Sequence, residues 1–163
     1  MKETMLYPEV YSDGTLRSID LIEAVLIAID PLRLSREERK TVSEGKRAYK
    51  WLSSHSRMDF CEEKFNSRYG YYPDDIYSDL CDIADAHCSP YCYWGSSEGD
   101  GACIGVFVVA ESIEEDLRYN ENLLYIEYAS DSYIGLAVDI SDHGNMTLYQ
   151  CNKGKSKEIW AIA

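Results

Sequence analysis

The sequence predicts an α+β fold in which about four N-terminal helices pack on a C-terminal antiparallel β-meander of four to five strands. Apolar residues recur at helical spacing through residues 17–88. Short apolar runs separated by turn residues fill 102–163, and connections of three or four residues join neighbouring antiparallel strands. We expect a single domain over 1–163, with a mainly helical lobe over 1–88 and a sheet lobe over 102–163.

An extended segment over residues 1–15 precedes the first two predicted helices. Ser18 is the expected N-cap of a helix over 17–29, where apolar residues recur every three or four positions. Ser35 and Glu38 have the spacing of a capping box and predict a second helix from that point to about residue 52.

Two further helices are expected before the sheet. The third covers about residues 58–69 and ends at Gly70, since glycine readily adopts the left-handed conformation that closes a helix. The fourth begins after Pro73 and runs to about His87.

The remaining chain is predicted to be loop and strand. Residues 89–101 are rich in Ser and Gly and indicate a loop anchored by aromatic side chains. The valine-rich run 102–110 predicts a buried strand, and 111–120 is either a short helix or a loop. Four more strands are expected at 123–128, 133–140, 146–151 and 158–162.

Composition limits the class of protein. The longest apolar runs are far shorter than the ~20 residues a membrane span needs, and residues 1–9 lack the apolar run of a signal peptide. We therefore expect a cytoplasmic protein with no membrane partner, whose six Cys are thiols or metal ligands rather than disulfides.

Charge is distributed unevenly along the chain. The formal net charge is −13, yet residues 1–57 carry ten basic and nine acidic side chains. Between Tyr69 and Leu117 there are eleven Asp or Glu residues and no Lys or Arg. A block of one sign creates a potential that attracts a basic partner.

The fourth helix is the strongest part of this acidic block. Asp75, Asp79 and Asp82 recur at spacings of four and three, so they share a helix face at about 5–6 Å from one another. Such a row is close to the spacing of nucleic-acid phosphates, although a merely solvated face explains it too. The predicted partner-binding residues are Asp74, Asp75, Asp79, Asp82, Asp85, Glu98, Asp100, Glu111, Glu114, Glu115 and Asp116.

A cluster of Cys and His offers an alternative. Cys88 and Cys92 form a C-x3-C pair, and Cys81 and His87 could complete a zinc site in a small structural or regulatory module. The second short pair of ligands that zinc sites usually have is missing, and buried structural thiols explain the same residues. Apart from this zinc, no cofactor is expected.

Enzymatic activity and direct nucleic-acid binding are not expected. Only His55, His87 and His143 are present, and no spacing favours a particular catalytic pair, although a small enzyme of unknown chemistry stays an alternative. Basic residues do cluster over 33–50, but glutamates interleave with them and predict a salt-bridged face. These cations could also pair with the acidic block, within one chain or across a homodimer.

The C-terminal hairpin carries a resemblance. The stretch Ile140-Ser-Asp-His-Gly-Asn-Met-Thr-Leu-Tyr149, followed by a Lys/Gly turn and Glu158-Ile-Trp160, resembles small uncharacterised bacteriophage proteins. The resemblance covers about the last 25 residues and implies an early or accessory protein that acts on host machinery. With the acidic block, we expect a non-enzymatic inhibitor of the anti-restriction or anti-CRISPR kind, which would mimic DNA on a basic host protein in the host cytoplasm.

Overall fold

The computed structural model describes residues 4–55, 61–119 and 123–163 and confirms the α+β class. The described residues form five α-helices, a short 3-10 helix and seven strands. The helices are α1 Ser18–Ile29, α2 Arg36–His55, α3 Cys61–Tyr69, α4 Pro73–Ala86 and α5 Ala110–Tyr119, with the 3-10 helix at Ile126–Tyr128. The strands are β1 Glu9–Ser12, β2 Cys92–Ser97, β3 Asp100–Val108, β4 Leu123–Tyr125, β5 Ile134–Ile140, β6 Met146–Asn152 and β7 Lys155–Ile162.

Helix starts follow local chemistry with one exception. The capping box is present, since Ser35 N donates to Glu38 Oε2 at 2.6 Å and Glu38 N donates to Ser35 Oγ at 3.2 Å. Ser18 is not the cap that we expected: Arg17 occupies that position without a side-chain hydrogen bond, and Ser18 is already helical.

The structure also tests the predicted bounds of the third and fourth helices. The predicted start of the third helix at residues 58–60 lies outside the described residues, whereas its end at Gly70, which has φ of +84°, is confirmed. The fourth helix is confirmed as α4, and His87 follows it as the C-cap.

The predicted loop over residues 89–101 is wrong. Its aromatic part forms β2, which pairs with β3 around Gly99 at φ of +80°. Serines and glycines suggest a loop when they are taken alone. Here, however, the alternation of Tyr93 and buried Trp94 lets the segment lie against a neighbouring strand.

The chain divides into two compact units, and their boundary differs from the predicted lobes. The first unit comprises residues 1–88 and 94–107, so most of β3 belongs with the helices rather than with the C-terminal sheet. In it α1, α2 and α4 pack on one another around residues such as Ile22, Val25 and Leu80. Its three strands form a sheet in the order β1–β3–β2.

The second unit comprises residues 89–93 and 108–163. Its sheet has the order β4–β5–β6–β7, and the pairs β5–β6 and β6–β7 are antiparallel as expected. The pair β4–β5 is parallel, which corrects the all-antiparallel prediction. Residues 126–133, which begin with the 3-10 turn, carry the chain back so that β5 runs in the same direction as β4.

The core of the second unit is small and apolar. The buried residues are Ile113, Leu123, Val138, Leu148 and Trp160. Ile113 comes from α5, so this helix covers the sheet. The Trp160 indole also donates to the Pro90 carbonyl at 3.0 Å, which ties the start of the unit to its last strand.

Candidate interaction surface

Helix α4 presents the predicted row of carboxylates to solvent. Pro73, Ile76, Leu80, Ile83 and Ala84 are its buried residues and fix which side of the helix packs inward. All five aspartates of the helix are exposed: Asp74, Asp75, Asp79, Asp82 and Asp85. The apolar spacing and the acidic spacing thus place carboxylates on the outer side of one amphipathic helix.

Two of these aspartates help to begin the helix. Asp75 Oδ2 accepts a hydrogen bond from Tyr72 N at 3.0 Å, which is half of a capping box. Asp74 Oδ1 accepts from Ser18 Oγ at 2.9 Å. Both carboxylates lie in the first turn, where the helix dipole favours negative charge. Part of the acidic row is therefore explained by helix formation alone.

A third aspartate is also used internally. Asp85 Oδ1 accepts from the backbone N–H of Trp94, a residue of β2, at 3.0 Å. Trp94 is only 7% exposed, so Asp85 satisfies a donor at the edge of the core. This role could not be inferred from helical spacing, since it depends on the hairpin that the sequence did not predict.

Asp79 and Asp82 are the carboxylates of α4 that no internal role explains. Both are exposed, and neither has a polar partner within the part of the chain that the structure describes. They lie one helical turn apart, at about 5–6 Å, so they repel each other. A pair of unrelieved like charges is the feature most easily explained by an external partner.

The hairpin of the first unit carries two more predicted residues. Glu98 and Asp100 flank Gly99 and are exposed. Asp100 Oδ1 accepts from Ala102 N at 3.0 Å, which stabilises the start of β3. Glu98 has no side-chain partner among the described residues.

The remaining predicted carboxylates lie in the second unit, on α5. Glu111, Glu114 and Glu115 are exposed. Asp116 is half-buried, and its Oδ2 accepts from the Tyr91 hydroxyl at 2.7 Å. Burial is the main cause that raises the pKa of Tyr91, and the hydrogen bond to the Asp116 carboxylate is the second. Asp116 is therefore a structural acceptor, and the other three form the exposed acidic face of α5.

No basic side chain neutralises these residues within the described ranges. The ion pairs found there are Arg17–Asp20, Lys46–Asp30 and His87–Glu38. None includes an acidic residue of the stretch 74–116, so the suggested pairing of this block with the basic helix is not seen among the residues that the structure describes.

Glu62 lies beside the acidic residues of α4 and was not among the partner-binding residues predicted from the sequence. Its Oε1 lies 3.3 Å from Ser18 Oγ, the hydroxyl that also contacts Asp74. One hydroxyl donates a single proton, so two carboxylates converge on a group that can satisfy one of them. Glu62 precedes the base-free stretch in sequence, and only the packing of α1, α3 and α4 brings it there.

The predicted zinc ligands are not gathered into a metal site. No group of three His, Cys, Asp or Glu residues among those described is placed to hold a metal ion. Cys88 Sγ donates to the Ala84 carbonyl at 3.4 Å, and Ser89 Oγ donates to Cys92 Sγ at 3.3 Å. Burial raises the pKa of the Cys81 and Cys92 thiols, which disfavours the thiolates that zinc binds.

The three histidines have separate surroundings. His55 stacks on Trp51 with a centroid distance of 3.8 Å, and His87 contacts Glu38. His143 is exposed in the turn before β6. None contacts a Cys within the described residues, and the enzyme alternative gains no geometric support.

Comparison with known proteins adds no assignment. Neither family models, curated proteins nor solved structures give a significant match to the chain. Among the described residues, none of the helices combines the length and the apolar character that crossing a membrane requires.

Proposed function

We propose that this chain is a non-enzymatic acidic binding protein that occupies a basic, nucleic-acid-binding surface of another protein. The observation that carries the proposal is the exposed pair Asp79 and Asp82, which has neither an internal role nor a counter-ion among the described residues. Carboxylates a helical turn apart can replace phosphates at cationic sites on a nucleic-acid-handling protein.

The neighbouring charges support the same kind of partner. Asp74 and Asp75 extend the row to the first turn of α4, and Glu62 adds a carboxylate beside Asp74. Internal hydrogen bonds hold these groups in place, which lowers the entropy lost when a cationic surface binds them. Association should be fast and should weaken with salt, because exposed charges act mainly on the rate of encounter.

The biological setting that we propose follows the C-terminal resemblance. The chain would be a bacteriophage protein that acts in the host cytoplasm on a restriction or CRISPR enzyme, as an inhibitor that mimics DNA. The acidic surface supports the mimicry by its charge, and the proposal concerning a host enzyme is open to a direct test.

The test removes the charges of Asp79 and Asp82, which make no hydrogen bond or ion pair among the described residues. Asp79→Asn with Asp82→Asn should weaken binding to a panel of purified host restriction and CRISPR effector proteins, measured by biolayer interferometry at increasing salt. Loss of two rim charges should lower affinity about 5- to 30-fold at low salt, and less at high salt. Duplex DNA should compete for the same partner.

A matched control removes two exposed carboxylates of the second unit. Asp139→Asn with Glu158→Gln makes the same change in net charge on exposed residues that do not belong to α4, and should leave affinity within about twofold if the α4 carboxylates are the contact site. If both double variants weaken binding equally, only net charge matters and the α4 surface is not the site. If no protein of the panel binds in competition with DNA, the inhibitor proposal is wrong.

A further inference from the structure

Helix α2 carries a line of basic residues on its solvent side. Arg36, Lys40, Arg47 and Lys50 are all exposed and fall within an arc of about 80° when each residue advances ~100° around the helix. The line is about 21 Å long at a rise of ~1.5 Å per residue. The buried residues of α2 lie on the opposite side of the helix; they are Val42, Gly45, Ala48 and Leu52.

The glutamates that interleave with these cations in the sequence form no ion pairs with them among the described residues. Glu38 is turned toward Ser35 and His87. No ion pair within the described residues joins a glutamate of α2 to any of the four basic residues. The salt bridges predicted between these glutamates and the four cations are therefore not formed within the described residues, and that argument against an anionic ligand no longer applies.

Aromatic residues beside the line orient the guanidinium groups. Arg47 Cζ lies 5.6 Å from the centre of the Tyr69 ring, and Arg68 Cζ lies 5.5 Å from the centres of both Tyr69 and Trp51. A guanidinium group that rests on a ring keeps its in-plane N–H donors free and loses less freedom when it binds an oxyanion. Arg68 thus extends the basic line onto α3.

Helix α4, which carries the acidic row, does not cover this line. Gly45, on the inward side of α2, faces Leu80 of α4, so α4 packs on the side opposite to the cations. With a Debye length of about 10 Å at 0.1 M salt, charges beyond a neighbouring helix are largely screened.

We propose that this line, Arg36, Lys40, Arg47, Lys50 and Arg68 with Trp51 at its end, binds the phosphate backbone of nucleic acid. Its length corresponds to about six phosphates of one strand at ~3.4 Å of axis each. The proposal goes beyond the acidic surface and does not depend on it, because the two surfaces use different residues and opposite charges.

Fluorescence anisotropy with labelled single-stranded and duplex DNA of about 20 nucleotides tests the proposal. Five phosphate contacts on a single strand predict a fall in affinity of about 130-fold between 50 and 200 mM salt, since each contact contributes about −0.7 to the log–log slope. Arg47→Gln with Lys50→Gln should reduce the size of that slope by about two-fifths and lower affinity at least about 10-fold at 50 mM salt. Lys155→Gln with Lys157→Gln, also exposed but in the second unit, is the matched control and should change little.

Tryptophan fluorescence provides a second readout. Trp94 and Trp160 are 7% and 3% exposed, whereas Trp51 is half-buried beside the basic line, so DNA should quench mainly Trp51. Absence of DNA binding at 50 mM salt would overturn the proposal. So would equal loss in the two double variants, or displacement of the DNA by a polyglutamate peptide of equal length at equal concentration, which would assign the surface to an acidic polypeptide.

Discussion

His87 Nε2 lies 2.8 Å from Glu38 Oε1, so the residue that ends α4 is paired with the residue that closes the capping box of α2. The other ring nitrogen, Nδ1, lies 3.3 Å from the Thr4 carbonyl oxygen. Both neighbours are acceptors, so whichever ring nitrogen carries a proton has an oxygen to which it can donate. A single side chain thereby connects the N-terminal segment, α2 and α4 of the first unit.

Replacing Glu38 by Gln should lower stability and change its dependence on pH. The backbone N–H and hydroxyl of Ser35, followed by His87, hold the pKa of Glu38 below its usual range. A carboxyl group whose pKa is lower in the folded state stabilises that state when the pH is above its unfolded pKa of about 4.3. This stabilisation is lost as the pH falls through the folded pKa. Glu38→Gln should therefore cost about 1 kcal/mol at neutral pH and lose less additional stability between pH 5 and 3.

Urea unfolding across this pH range measures both effects. Glu37→Gln is the control, because Glu37 is exposed one position away and has no polar partner in the described part of the chain. If Glu37→Gln and Glu38→Gln behave alike, the capping interaction and the His87 contact contribute nothing measurable.

This region also shows which interactions a sequence predicts. The capping box joins residues three positions apart, so the identity of Ser35 and Glu38 was enough to place it. The partner of Glu38 on α4 is 49 residues away, and its position depends on how two helices pack. His87 was considered as a zinc ligand because spacing alone does not show which groups face it.

Gly105 should be intolerant of a side chain. It lies opposite Val10 where β1 pairs with β3, and a Cβ built there would collide with the Glu9 carbonyl oxygen. The collision is with backbone, which cannot rotate away, so Gly105→Ala should destabilise the protein by about 2 kcal/mol or more. Thermal unfolding followed by circular dichroism measures the loss.

Gly101 provides the matched control on the same strand. A Cβ at that position meets no atom within 4 Å, so Gly101→Ala should be neutral or slightly stabilising. Equal effects of the two substitutions would show that the β1–β3 contact does not limit stability.

The aspartates of α4 should separate into two classes when stability is measured. Asp79→Asn with Asp82→Asn removes a repulsion without removing a hydrogen bond, so stability should stay the same or rise by about 0.5 kcal/mol. Asp85→Ala leaves the Trp94 N–H without its acceptor and should cost about 1–3 kcal/mol. Urea denaturation at low salt is the appropriate measurement; a loss of stability in the Asp79 and Asp82 variant would mean that these residues have a structural role.

The two classes could not be distinguished in the sequence. Helical periodicity places all five aspartates on the outer side of α4, and that part of the prediction agrees with their exposure. The contact of Asp85 depends on β2, whose Ser- and Gly-rich sequence resembles a loop until it is paired with β3. Spacing thus predicts which side of a helix a residue occupies, whereas its internal partner depends on distant segments.

The hydrogen bond between Tyr91 and Asp116 should make the second unit sensitive to alkali. Burial and the nearby carboxylate raise the pKa of Tyr91, so the neutral phenol is favoured in the folded state. This stabilisation is complete when the pH is below about 10, the pKa of tyrosine in the unfolded state, and it is lost as the pH rises toward the pKa in the folded state. Tyr91→Phe should cost about 1–2 kcal/mol at neutral pH and should then lose less stability between pH 9 and 11.

Tyr119→Phe is the control for this last change, since Tyr119 is 80% exposed in the same unit. If the two variants lose stability equally as pH rises, the contact with Asp116 does not govern the response to alkali.

The carboxylates of α5 should also differ in their roles, because Asp116 accepts a hydrogen bond from Tyr91 and therefore stabilises the fold. Asp116→Asn should then reduce stability without changing partner affinity. Glu114→Gln with Glu115→Gln should leave stability unchanged, and any loss of affinity in that variant would show that α5 also contributes to binding.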